Sequence, residues 1–168
     1  MTISMYQASI PVFQRSLSNL DAILQKAAQH AENRKIDAQA LLQARLFPDM
    51  FTFTRQVQIA CDFAKGAAAR LAGQDVPSWE DNEKSFEELR ARVARTLEFV
   101  AQAQPEQIDG SEERDIQVGA GERQMKFKGQ VYLLHFVLPN FYFHLTTAYD
   151  ILRHNGVEIG KRDFIGQV

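Results

Sequence analysis

Apolar residues recur along this chain at intervals of three and four through four long stretches, the period of helices packed against one another. The first stretch carries Phe13, Leu17, Leu20, Leu24 and Ala27, with Pro11 near its start, where proline is best tolerated. The second carries Met50, Phe53, Val57, Ala60, Ala64, Ala67 and Leu71, and ends at Gly73, a helix-terminating glycine. Its alanines predict close approach to a neighbouring helix. The third carries Phe86, Leu89, Val93, Leu97 and Val100; Ser78, followed by Glu80 and Asp81, predicts its cap and an acidic first turn. The fourth carries Val131, Leu134, Leu138, Phe141, Leu145, Ala148 and Leu152, and closes at Asn155-Gly156. Together they predict an all-α four-helix bundle, a single domain over residues 1–168.

Two segments depart from that period. The run from Asp37 to Ala44 opens on a capping residue and stops before Pro48, which predicts a short extra helix. The runs Asp115–Val118 and Gln124–Lys128 alternate polar and apolar residues around a glycine-containing turn. They predict a small β-hairpin insertion at about residues 112–129, before the last helix. Ile116, Val118, Met125 and Phe127 should form its buried face. Inside the fourth helix, Pro139 withdraws one backbone donor and frees the carbonyl of His135. A bend is predicted there, either as a tolerated kink or as a bulge that opens the bundle beside Asn140 and His144.

That fourth helix is apolar around most of its circumference, yet Asn140, His144 and Thr147 share one face. Polar groups in a buried helix are costly unless hydrogen-bonded or occupied in binding. This stripe is therefore the first place to look for a site. His135 lies nine residues before His144, half a turn out of phase on a straight helix. His30 and His154 fall at helix ends, where they complement the helix dipole.

Composition narrows the possibilities. The chain has 168 residues, 45% hydrophobic and 24% charged, with a net charge of -2. That is an ordinary globular balance, with no basic footprint for nucleic acid or for an anionic membrane. A single cysteine, Cys61, excludes an intrachain disulfide and a zinc site built on thiolate pairs. It sits among small apolar residues with no base at helical spacing, as a buried inert thiol would. The N-terminal segment Met1–Tyr6 lacks the basic and apolar regions of a signal peptide, and no apolar run is long enough to span a bilayer. A cytoplasmic, soluble protein is expected.

Several segments carry a resemblance. They are Ala44–Phe51, Arg55–Ala60, Ala64–Ala67, Leu138–His144, Ile151–Gly156 and Gly160–Phe164. Together they resemble a bacterial family of uncharacterised domain proteins similar to the DinB/YfiT-like superfamily. The resemblance runs over nearly the whole chain and implies a DinB-like four-helix bundle, often a homodimer. Many DinB-like proteins hold a divalent metal with three histidines, one on the second helix and two spaced by four on the last. Here the last-helix pair stands as Asn140 and His144, and the second helix has no histidine; Gln56, Gln58 or Asp62 would have to stand in. Zinc or nickel prefers more imidazole or thiolate than this set offers, so the metal site reads as eroded.

The expected function is accordingly binding of a small ligand or partner, in a pocket around the last helix formed by Asn140, His144, Gln56, Arg45, Asp49 and Tyr142. No catalytic residue is assigned. Arg45, Asp49, Arg55 and Asp62 read either as an ion-pair network or as a subsite for an anion, which arginine suits. Trp79 reads as a cover over the bundle end. The alternative, implied by the resemblance, is a metal-assisted or thiol-dependent transferase or hydrolase.

Overall fold

The computed structural model describes residues 3–167; Met1 and Thr2, which open the N-terminal segment read above, and Val168 lie outside the described residues. Helix α1 (Ile10–Arg34) has Pro11 in its first turn and stops at Lys35, which adopts φ +55°. A short α2 (Ala38–Leu42) follows, capped by the Asp37 carboxylate. Helix α3 (Phe53–Leu71) begins at Thr52, whose hydroxyl accepts from the Arg55 N–H. Met50 therefore falls in the turn before α3 rather than on the helix, because Thr52 provides the cap and Met50 N–H bonds the Phe47 carbonyl. Gly73 ends α3 in the left-handed region, and Gln74 N–H bonds back to the Ala69 carbonyl.

Helix α4 (Phe86–Ala101) begins eight residues after Ser78. Its cap is Ser85, whose hydroxyl accepts from Glu88 N–H at 3.1 Å. Pro77 and the carboxylates of Asp81 and Glu83 do not start the helix. Residues 74–84 instead form an irregular strap, pinned to the bundle by ion pairs. After the short α5 (Pro105–Ile108), strands β1 (Asp115–Val118) and β2 (Met125–Lys128) pair antiparallel, with Ile116 opposite Phe127 and Val118 opposite Met125. Ile116 is buried and Val118 and Phe127 are half-buried. Met125 departs from the expected face at 42% exposed, because its pair lies next to the loop, past the edge of the bundle.

The last helix is continuous but not uniform. It starts as α6 (Gly129–Val131), widens into π-helical turns at Tyr132–Val137, and returns to α geometry as α7 (Leu138–His154). The widening sits immediately before Pro139, whose missing N–H interrupts the regular ladder. Leu138 N–H bonds the Leu133 carbonyl, five residues back. The extra residue per turn rotates everything N-terminal to it. Val131 and Leu134, expected on the buried stripe, are 46% and 41% exposed, while Tyr132, Leu133 and Val137 take the buried positions. A final short α8 (Lys161–Ile165) closes against α1, through Asn19 donating to the Phe164 carbonyl and Lys26 pairing with Asp163.

In the bundle α1 packs along α4, and α3 lies between α4 and α7. Phe13 and Phe141 meet edge-on at 5.1 Å in its core, both fully buried. Each such side chain removed from water is worth about 1.5–3 kcal/mol. No helix among the described residues is long and apolar enough to cross a membrane.

Candidate functional site

The polar stripe on α7 resolves into three different arrangements. Asn140 Nδ2 donates to the Phe136 carbonyl at 2.7 Å, one turn back within the π turns. Thr147 Oγ1 donates to the Phe143 carbonyl at 2.7 Å. Only His144 reaches another helix: its Nδ1 lies 2.6 Å from Gln56 Oε1 on α3. Gln56 Nε2 donates to the Phe51 carbonyl, so its Oε1 must accept, and His144 carries its proton on Nδ1. Burial lowers the His144 pKa, and nearby Arg55 adds to that effect, so the ring is held neutral. Its face stacks on Phe63 at 5.8 Å.

Of the six residues expected to form the pocket, the structure brings His144 and Gln56 into direct contact, with Asn140 one turn away. Arg45 is exposed and donates only to the nearby Pro48 carbonyl; Asp49 and Tyr142 are also exposed. Arg55 and Asp62 instead join a network that the sequence hinted at without its centre. That centre is Arg92 on α4, whose side chain is 2% exposed. It pairs with Asp62 at 3.0 Å, Asp81 at 2.8 Å and Glu83 at 2.9 Å, and donates to the Glu80 carbonyl at 3.1 Å. Lys65 pairs with Asp62 at 2.9 Å and Arg55 with Asp81. Three cations and three carboxylates thus neutralise one another between α3, α4 and the strap. Lys65 Nζ and the Arg95 guanidinium also sit over the Trp79 ring, at 4.3 and 4.2 Å, which holds the strap in place.

Trp79 stands between two cavities. The larger, about 550 Å³, is a polar groove lined by Glu80, Glu83, Glu88, Arg92 and Arg95. Arg92 is neutralised by carboxylates on Nη1 and Nη2, its buried Nε alone having no partner among the described residues, and Glu88 already accepts from Lys84 N–H. The smaller, about 320 Å³, has the better walls for a ligand. Phe63 comes from α3, Trp79 from the strap, Val118 from β1, and Tyr132 and Phe136 from the π turns. Phe63 meets Phe136 at 5.7 Å and Tyr132 stacks beside Phe136 at 6.0 Å.

One cation in that wall is unlike the rest. Arg70 donates through Nη1 to the Tyr132 hydroxyl at 3.1 Å and enters none of the ion pairs formed among the described residues. Its guanidinium folds back over Gly66, one turn earlier, where a Cβ would come within 2.6 Å of Nη1. A glycine inside a helix costs about 0.5–1 kcal/mol relative to alanine. Here it supplies the space in which Arg70 lies. Burial pushes the Tyr132 phenol up, with Arg70 pulling the other way, so its hydroxyl stays neutral.

Residues 5–165 match a family described as a domain of unknown function, DUF1993. The chain belongs to that family. It is similar to the crystal structure of a DinB family member protein from Shewanella denitrificans, at 40% identity and a TM-score of 0.89, over 97% of this chain and 92% of that one. The bundle with its small two-stranded sheet is therefore a DinB fold. A comparison with curated proteins finds no match.

The metal that the DinB resemblance implies does not fit the donors of this DUF1993 chain. His144 is the one imidazole at the relevant height, with Nδ1 committed to Gln56. The Asn140 and Gln56 amides donate to backbone carbonyls. Asp62 is held by Lys65 and Arg92. Among the described residues no group of three His, Cys, Asp or Glu side chains is placed to hold a metal ion, and the carboxylates of Asp62, Asp81 and Glu83 are spent on Arg92. Cys61 is buried, and burial pushes its thiol up to about 12, against the pull of Thr96 and Arg92.

Proposed function

We propose that this protein binds a small molecule in the aromatic-walled cavity between α3, the strap, the hairpin and the π turns of the last helix. One observation carries the reading: three insertions in an otherwise regular bundle converge on this single space. The hairpin contributes Val118, the strap contributes Trp79, and the π turns rotate Tyr132 and Phe136 into it. Bulges of this type persist at a cost in helix stability and concentrate at functional sites. His144 and Gln56 support the site from behind, because His144 stacks on Phe63. A transferase or hydrolase assisted by a metal or by a low-molecular-weight thiol co-substrate is the competing reading, and no metal-holding cluster among the described residues favours it.

Trp79 is the single tryptophan of the chain and stands in the cavity wall, so its signals report directly on occupancy. The test is a thermal-shift screen of small aromatic metabolites, followed by titration while monitoring the Trp79 indole N–H resonance. Compounds that raise the melting temperature should move that resonance, and Val118→Phe, which fills the cavity, should abolish both effects. Stabilising compounds that leave the Trp79 resonance still and bind the Val118→Phe variant equally well would place binding elsewhere and overturn the reading.

A further inference from the structure

We infer that the occupant of this cavity is an aromatic carboxylate whose anionic group is received by Arg70. The inference rests on the proposed small-molecule function and names the ligand class. Its argument is one of charge. Around the cavity, Lys65 is neutralised by Asp62, and the neighbouring Arg92 and Arg55 have carboxylates of their own. Arg70 is half-buried and, among the described residues, bonds only the Tyr132 hydroxyl. A guanidinium carries five N–H donors in a planar fork, and a carboxylate takes two of them at once.

The guanidinium is also positioned rather than free. Gly66 leaves the space over which it folds, and the Tyr132 hydroxyl fixes one of its nitrogens. Tyr132 itself belongs to the π turns that shape the cavity. Thus the device that brings the aromatic walls together also orients the cation. Flat apolar surface from Phe63, Trp79 and Phe136 lies beside a donor fork held at the edge. That pairing matches a ring with a carboxylate attached. It gives a neutral ring no partner for Arg70, and it gives a simple inorganic anion no use for the walls.

Matched pairs of acid and amide separate the two halves of the argument. The probes are benzoate with benzamide and cinnamate with cinnamamide, titrated by isothermal calorimetry and by the Trp79 indole N–H resonance. At least one acid should bind ten-fold or more tightly than its amide and weaken as salt is added. Arg70→Gln should remove that preference while leaving amide binding unchanged. Gly66→Ala, which occupies the space of the Arg70 guanidinium without touching the aromatic walls, should do the same in a protein that remains folded. If acids and amides bind alike and Arg70→Gln alters neither, the anion inference falls and the small-molecule reading stands. If none of the four probes binds at millimolar concentration, the carboxylate inference falls. If neutral fragments from the wider screen also leave Trp79 unmoved, the small-molecule reading falls with it.

Discussion

His144 donates through Nδ1 to the Oε1 of Gln56 across the interface of α7 and α3, at 2.6 Å, and this bond fixes a neutral imidazole in a buried position. The consequence is a linkage between protonation and stability. Burial first, and Arg55 second, depress the His144 pKa from its ordinary 6.5, whereas the unfolded chain keeps that ordinary value. The unfolded state therefore binds more protons as the solution is acidified. The stability tied to His144 is fully present above pH 6.5 and is lost as pH falls from there toward the depressed native value. The slope from one such group is at most about 1.4 kcal/mol per pH unit. Urea denaturation at pH 7.5 and at pH 5.5 should show a larger loss for the parent protein than for His144→Gln. Equal losses in the two proteins would mean that His144 is not the titrating group.

Arg92 makes a larger claim on stability than any surface pair. Its guanidinium is buried against Asp62, Asp81 and Glu83, so its removal leaves three carboxylates repelling one another at the base of the strap. Breaking a buried charge cluster from one side costs about 3–5 kcal/mol. Arg92→Met should therefore lower the denaturation midpoint sharply. Lys26→Ala, which deletes the exposed Lys26–Asp163 pair, should cost less than about 1 kcal/mol. The strap should loosen in the Arg92 variant well before the bundle melts, with Trp79 fluorescence changing ahead of the helical circular dichroism. Coincident transitions would show that the strap is not held by this network.

Much of the fold was legible because its signals are local and periodic. The spacing of Phe13, Leu17, Leu20 and Leu24 identifies α1, and the alternation through Ile116 and Phe127 gives the hairpin. The errors come from places where one local rule was displaced by another. Val131 and Leu134 continue the stripe of Leu138 and Phe141 on paper, but the π turns insert a residue and rotate them into solvent. Pro139 hinted at the break without giving its extent. The site was less legible. The stripe of Asn140, His144 and Thr147 looked like one surface, yet two of the three side chains bond within their own helix. Arg92 escaped notice because nothing along the sequence shows that residues 62, 81 and 83 converge on it. Beside Pro139, Gly66 at i and Arg70 at i+4 were a readable clue to the cavity, since an unforced glycine inside α3 asks what occupies the space above it.

Cys61 tests the interior in another way. It is fully buried on α3, and burial raises its thiol to about 12, so almost no thiolate exists at neutral pH. An aromatic disulfide reagent should leave the native protein unmodified over hours and titrate one thiol at once in concentrated urea. At intermediate urea the modification rate should follow the fraction unfolded. Rapid labelling of the native state would contradict this burial.

The start of α4 gives the most direct check on how the strap is built. Ser85-Phe86-Glu87-Glu88 is the sequence of a capping box placed directly before the apolar run, and Ser85 does accept from Glu88 N–H. The Glu88 carboxylate reaches back one residue further than usual, to Lys84 N–H, instead of the Ser85 N–H that would close the box. Ser78 has the same residue type and acidic followers, but it lies exposed on the strap and caps nothing. Ser85→Ala should therefore cost about 1 kcal/mol, the usual loss for an N-cap hydroxyl. Ser78→Ala should stay within about 0.5 kcal/mol, as surface changes do. Paired denaturant melts of the two variants decide the point. A larger loss at Ser78 would mean that the helix extends through the strap in solution, and the ion pairs of Asp81 and Glu83 with Arg92 would then have to be redrawn.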